Sequence, residues 1–276
     1  MQIIRDLAGL RRATTTLRAG GRGLALVPTM GALHVGHLAL VAAGRQAADA
    51  VAVSIFVNPL QFGPSEDLSR YPRDEAGDLA KLADAGCDLA WMPDVATMYP
   101  PGSATAIEVA GPAEGFEGEA RPGHFRGVAT VCTKLFMQTG ADVAVFGEKD
   151  WQQLQVVRRV VADLDLPIRI LPHPTVREAD GLACSSRNIR LTAEQRAFAP
   201  MLSERMRAAL ARIAAGEAPG PVLTETVAVL TEAGFAPDYL SLVEPETLKP
   251  WRRGPGRLLA AARLGDVRLL DNMPLG

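Results

Sequence analysis

The chain has 276 residues, 48 % of them hydrophobic and 22 % charged, and a formal net charge of −2 at pH 7. That length suits one large α/β domain or two domains, and the composition excludes a disordered chain. The charge balance gives no reason to expect a nucleic acid or another polyanion as partner, although a local cationic pocket for one phosphorylated ligand stays allowed.

The cysteines are Cys87, Cys132 and Cys184, far apart and outside any C-x-x-C pattern. Neither a disulfide framework nor a zinc site is expected from them, and a reducing cytoplasm is the plain expectation. Arg5 and Asp6 fall where a signal peptide needs an apolar run, and no stretch reaches the length of a membrane span.

In chain order, residues 23–28 read as a buried strand, 36–48 as a helix, and 50–57, rich in β-branched residues, as a second strand. A helix is expected over 74–85 with Gly86 as its C-cap, then a short strand over 88–92 ended by Pro93. Residues 128–138 read as a helix, 142–146 as a strand, 150–164 as a helix and 167–171 as a strand. This alternation implies βαβ units and a parallel sheet, with ligands at the carboxyl ends of its strands. The character changes near Pro172-His173-Pro174. A polar loop follows, then a long helix over 192–215, a Gly/Pro break at 216–221 and a helix through Ala233. Strand-like pieces come at 238–243, 257–263 and 267–270. The Gly- and Ala-rich segment 100–122 is the loosest and is a candidate lid or flap.

The strongest local signal is PTMGALHVGH at 28–37, between the first strand and its helix. Histidines three residues apart in a first helical turn face the same side. The helix N-terminus adds N–H groups and partial positive charge, and imidazoles there can donate to phosphates as charge builds in transfer. A zinc pair would need a third ligand, and His124 and His173 lack metal-ligand spacing. FGEKDWQQ at 146–153 also joins a strand to a helix. There Gly147 permits a tight turn, Lys149 points into the same crevice as a phosphate ligand, and Asp150 is placed to N-cap the helix. Gln61 and Gln153 can donate and accept, which suits the hydroxyls and carboxyl of a small polar acid. His124 reads equally as a substrate contact or as a loop histidine packing the flap. Ser185, Ser186 and Arg187 can clamp a polyphosphate.

The ordered set PTMGALHVGH (28–37), NPLQF (58–62), RYPRD (70–74), GHFRGVATV (123–131), FGEKDWQQL (146–154) and TVREADGLACSSRN (175–188) resembles the pantoate–β-alanine ligase family. The set spans the first two-thirds of the chain, and its spacing is also similar. One departure is Val35, where that family usually has an acidic residue; the position is expected to point away from the phosphates. The resemblance implies a Rossmann-like α/β parallel-sheet domain binding ATP and pantoate over 1–175, and a smaller α+β lid domain over 176–276. It implies ATP-dependent condensation of pantoate with β-alanine through a pantoyl-adenylate, with Mg²⁺, in a homodimer. By position, His34, His37 and Lys149 would be catalytic. ATP would meet Pro28, Thr29, Met30, Gly31, Gly147, Lys149, Asp150, Val176, Ser185, Ser186 and Arg187, with Asp150 contacting the ribose or ordering the loop. Pantoate would be held by Gln61, Gln153 and Met30. His124 and Arg121 are secondary candidates near the β-alanine entrance, and Asp78 would help position Mg²⁺ through phosphates or water.

Two other classes remain in view. A nucleotidyltransferase that leaves its nucleotide on the product would share the H-x-G-H arrangement but need a phosphate-bearing acceptor, which the paired glutamines do not suit. A non-catalytic nucleotide sensor would be expected to have lost His37 or Lys149, and both are present.

Overall fold

A computed structural model describes residues 1–63, 68 and 71–276. Arg70, which opens the RYPRD motif, lies outside the described residues. The chain divides into two compact units, Met1–Gly147 with Gln153–His173, and Glu148–Gln152 with Pro174–Gly276.

In the first unit the elements run β1 (Gln2–Ile4), α1 (Leu7–Leu17), β2 (Leu24–Thr29), α2 (Val35–Ala47), β3 (Ala50–Ile55), α3 (Glu75–Asp84) and β4 (Leu89–Trp91). They continue with α4 (Val95–Met98), α5 (Phe116–Ala120), α6 (His124–Thr139), β5 (Val143–Gly147), α7 (Trp151–Asp163, its first two residues grouping with the second unit) and β6 (Arg169–His173). The strands form one sheet in the order β1-β4-β3-β2-β5-β6, every pair parallel. β2 reads LALVPT and its first four residues are fully buried, as expected of a central strand covered on both faces. The succession β2, β3, β4 moves to one side of β2 and β5 lies on its other side, so the order reverses between β2 and β5. Crevices for ligands form at such a reversal, beyond the carboxyl ends of the strands. Gly44 lets α2 sit close to the sheet, since a Cβ there would stand 3.3 Å from Val51 and 3.4 Å from Ala25.

β1 and α1 are not expected from the sequence pattern, β1 being only three residues long; Asp6 N-caps α1 through the Gly9 N–H. The sequence pattern also begins α6 four residues late, since the helix starts at His124, directly after Gly123 in a left-handed conformation with φ of 83°. The segment 100–122 contains α5, and the Ile107 N–H is held by the Thr130 hydroxyl at 3.0 Å.

The second unit comprises α8 (Ala193–Phe198), α9 (Met201–Ala214), α10 (Pro219–Glu232), β7 (Phe235–Val243), β8 (Gly256–Leu264) and β9 (Val267–Leu275). The expected helix over 192–215 is two helices. The break falls at Pro200, which has no N–H to continue the ladder of α8. The Gly/Pro stretch 216–221 is shorter as a break than expected, because Pro219 opens α10 from the first helical position. β7, β8 and β9 form an antiparallel meander over a core containing Met206, Leu230 and Leu258. β9 runs to Leu275, five residues beyond the expected end. Among the described residues no helix is long and apolar enough to cross a membrane.

Candidate active site

In the first unit the chain leaves β2 at Thr29 and enters α2 at Val35, and the five residues between shape the site. His34 is the N-cap of α2, and its Nδ1 accepts the Gly36 N–H at 3.1 Å. His37 Nδ1 in turn accepts the His34 N–H at 3.3 Å, giving a capping box built from imidazoles. The rings lie 4.1 Å apart, tilted by 43°. A ring nitrogen that accepts a backbone N–H carries no proton, so in each neutral imidazole the proton belongs to Nε2. Local capping thus presets both rings as Nε2–H donors on one helix end. Val35 is 60 % exposed.

The turn before the histidines has left-handed backbone at Gly31, with φ of 84°, and at Ala32, with φ of 52°. Glycine is required at position 31, because a Cβ would also approach Asp78 Oδ2 to 3.0 Å. Asp78 on α3 is 1 % exposed and closes this turn. Its Oδ2 accepts the Ala32 N–H at 2.8 Å and its Oδ1 the Leu33 N–H at 2.7 Å. Both oxygens of the carboxylate expected to serve Mg²⁺ are therefore engaged by backbone. Lys81, one turn on, donates to the Leu33 carbonyl at 2.9 Å. Thr29 is buried, donating to the Ser54 carbonyl at 2.7 Å and accepting from the Gly31 N–H at 3.2 Å. Pro28 precedes it, half-buried opposite Ser54 of β3.

Gln61 is held from both ends. Asn58 Nδ2 donates to its Oε1 at 3.1 Å, which turns the Gln61 amide NH₂ toward Met30 Sδ at 3.1 Å. The same Asn58 Nδ2 donates to the Gly127 carbonyl at 3.1 Å. Gly127 must lack a side chain, because a Cβ would stand 2.3 Å from the Leu60 carbonyl oxygen. The Gln61 carbonyl accepts from His124 Nδ1 at 2.9 Å. Arg121 lies 3.0 Å from His124 Nε2, and since a guanidinium only donates, Nε2 accepts and Nδ1 carries the proton. His124 is buried with both ring nitrogens on protein partners, which favours packing over substrate contact. Arg121 is also 3.7 Å from Glu117. Gln153, on α7, is half-buried in this unit.

The remaining expected phosphate ligands gather in the second unit. Lys149, Ser185, Arg187 and Arg268 line one recess there. Ser185 caps the 3-10 turn Ser186–Arg190, its hydroxyl accepting the Arg187 N–H at 3.2 Å. Val176 anchors the same loop, its carbonyl accepting the Cys184 N–H at 2.9 Å. Asn272 on β9 donates to the carbonyls of Glu148 at 2.8 Å and Lys149 at 2.7 Å. Arg257 on β8 orients Asn272 through its Oδ1 at 2.7 Å, pairs with Glu148 at 2.8 Å, and stacks 3.6 Å over the Trp151 ring. Lys149 Nζ is 3.4 Å from Asp150. Gly147 ends β5 directly before the 3-10 turn Glu148–Asp150, but its backbone is not left-handed and a Cβ there would meet nothing within 4 Å, so this turn does not require glycine. The structure thus joins His34 with His37, Thr29, Met30 and Gly31 in one unit, and Lys149 with Ser185, Ser186 and Arg187 in the other.

The sequence alone does not single out Asn58, Tyr99 or Glu117. Asn58 lies inside the NPLQF motif, whereas Tyr99 and Glu117 carry no local signal.

A six-stranded parallel sheet with an imidazole-capped helix at its switch point defines a Rossmann-like α/β protein. The family model described as Pantoate-beta-alanine ligase matches residues 2–274. A pantothenate synthetase of Acidiphilium cryptum is 57 % identical, aligned over 99 % of both chains, and one of Rhizorhabdus wittichii is 56 % identical over 99 % of this chain and 98 % of its own. The crystal structure of pantothenate synthetase from Thermus thermophilus superposes with a TM-score of 0.92 at 46 % identity, covering 99 % of each chain. Pantoate-beta-alanine ligase from Francisella tularensis, complexed with beta-gamma ATP and beta-alanine, gives 0.85 at 32 % identity over 99 % of this chain and 97 % of that one. The chain belongs to the pantoate–β-alanine ligase family and is an enzyme of that class.

Proposed function

We propose that the chain condenses pantoate with β-alanine, using ATP, in two half-reactions. A pantoate carboxylate oxygen attacks the α-phosphorus as the bond to pyrophosphate breaks, giving pantoyl-adenylate. The β-alanine amine then attacks the acyl carbon, AMP leaves with the bonding pair, and the amine gives up a proton. The observation that carries this reading is the histidine pair, set as two Nε2–H donors at the N-terminus of α2. Such donors suit charge that builds on phosphate oxygens during transfer. The Francisella tularensis ligase, crystallised with beta-gamma ATP and beta-alanine, supports the same reading.

Within it, His34 and His37 contact the phosphates and stabilise the pentacovalent state. Lys149, Ser185, Ser186 and Arg187 take the triphosphate and pyrophosphate. Pro28, Thr29, Met30, Gly31, Gly147, Asp150 and Val176 complete the nucleotide contacts. Gln61 and Gln153 hold pantoate, with Met30 beside it, and Arg121 and His124 stand behind Gln61. Mg²⁺ enters with ATP. Both Asp78 oxygens take backbone N–H groups, so Asp78 helps position the ion through phosphates or water. The cytoplasmic setting and the homodimer belong to this reading through the family.

ATP–pyrophosphate exchange measured with and without pantoate tests it. Exchange that needs pantoate, and AMP release once β-alanine is added, are expected. Exchange indifferent to pantoate, or a stable nucleotidyl product, would refute it. Lys149→Ala is expected to lower the exchange rate by about a hundredfold.

A further inference from the structure

We infer that Tyr99 is a positioning residue for the acid substrate, acting through Asn58 on Gln61. The inference rests on the reading of Gln61 as a pantoate ligand. Tyr99 follows α4, and its hydroxyl donates to Asn58 Oδ1 at 2.8 Å. That is the shortest of the bonds Asn58 makes through its amide; the others are 3.1 Å to Gln61, 3.1 Å to Gly127 and 3.3 Å from the Leu60 N–H. Asn58 is 1 % exposed, so water does not readily replace a lost partner. Burial raises the Tyr99 phenol above its ordinary range, which keeps it a donor.

An Asn amide has one accepting and one donating end. The Leu60 N–H and the Gly127 carbonyl fix which end of the Asn58 amide is oxygen, and the Tyr99 hydroxyl, donating to that oxygen, holds it in place, so the NH₂ faces the Gln61 Oε1. That fixes the second amide in turn, and the Gln61 NH₂ points at Met30 Sδ. A thioether is a weak acceptor, which a carboxylate or hydroxyl oxygen replaces with gain. With both amides reversed, Gln61 would offer its carbonyl, and a carboxylate would be repelled. The Tyr99 hydroxyl therefore helps hold the amide that positions Gln61, a residue 38 positions away in the chain, since they stand at 61 and 99.

The test is Tyr99→Phe. The variant keeps the ring that packs 6.0 Å from Phe56 and sits under the Lys134 ammonium at 5.8 Å. Steady-state kinetics of the full chain should show KM for pantoate raised about fivefold to tenfold, with KM for ATP unchanged. In a Gln61→Ala background the same substitution should add nothing, because the relay then has no end. A multiplicative effect in the double variant, an equal rise in both KM values, or no change in the single variant would overturn the inference. If Gln61→Ala alone leaves pantoate KM unchanged, the Gln61 reading itself falls and takes the inference with it. That outcome is distinct from a relay that fails while Gln61 still binds the acid.

Discussion

Asp78 reaches back across 45 residues to take the Leu33 N–H at 2.7 Å, one position before the first histidine of the site. With its second oxygen on Ala32, it holds a turn containing two left-handed residues, Gly31 and Ala32. Left-handed backbone at a non-glycine residue costs free energy and persists only where the surroundings enforce it. Asp78→Ala leaves the buried Leu33 N–H and the half-buried Ala32 N–H without their acceptor and should destabilise the chain by about 1–3 kcal/mol for the first and less for the second. Asp78→Asn keeps one acceptor and should lie between. Urea unfolding gives the stability, and pyrophosphate exchange should fall in the same order, because the turn aims His34.

On the proposed reading His34 has two separable duties. Its Nδ1 caps α2, and its Nε2–H faces away from that cap. His34→Ala loses both and should cost about 1 kcal/mol of stability besides at least about a hundredfold in adenylation. His34→Asn restores a good N-cap without the donor. Its melting temperature should return to near wild type while exchange stays low. Recovery of exchange together with stability would show that capping was the whole contribution.

Asn272 is the support under Lys149. In Asn272→Asp a carboxylate faces the carbonyls of Glu148 and Lys149, which the amide now donates to. Arg257 keeps an oxygen partner, now a charged one. A loss of about 1–3 kcal/mol and a raised KM for ATP are expected. Unchanged ATP kinetics in a folded variant would remove Asn272 from the support of the site.

The cysteines predict a pH dependence. Burial pushes the Cys132 thiol up to about 12 and the Cys87 thiol up to about 11, from an ordinary 9.0. The unfolded chain loses these protons first, so the folded state binds more protons in that window. Their stabilising contribution is full below pH 9.0 and is lost as pH rises through about 11 and about 12. Urea midpoints taken from about pH 8 to about pH 11 should decline, and a Cys87→Ala/Cys132→Ala variant should decline less steeply. Equal slopes would place the alkaline sensitivity elsewhere.

The sequence carried the central strands and the histidine pair well, because both are local signals. β2 is an unbroken apolar run, and the H-x-G-H spacing falls at its end. The break at Pro200 is also a local signal, since proline stops a helix by its own chemistry. Other features could not be read along the chain. Nothing near residue 149 announces that Asn272 will hold its carbonyl, and nothing near Asn58 announces Tyr99. The glycines divide in the same way. Gly127 looks like any helix glycine until the Leu60 carbonyl is seen against it, whereas Gly147 looked like a turn and is conformationally ordinary.

The grouping of Glu148–Gln152 with Pro174–Gly276 bears on how the polypeptide matures on the ribosome. The smaller unit is discontinuous, so a protease cut or a gene truncation between 173 and 174 would leave its first five residues behind on the other fragment. During synthesis those residues emerge early and wait for β8 and β9, the last strands to be translated, before Arg257 and Asn272 can seat them. A nascent chain stalled short of Asn272 would hold the histidine pair in full and still lack the seat of its lysine.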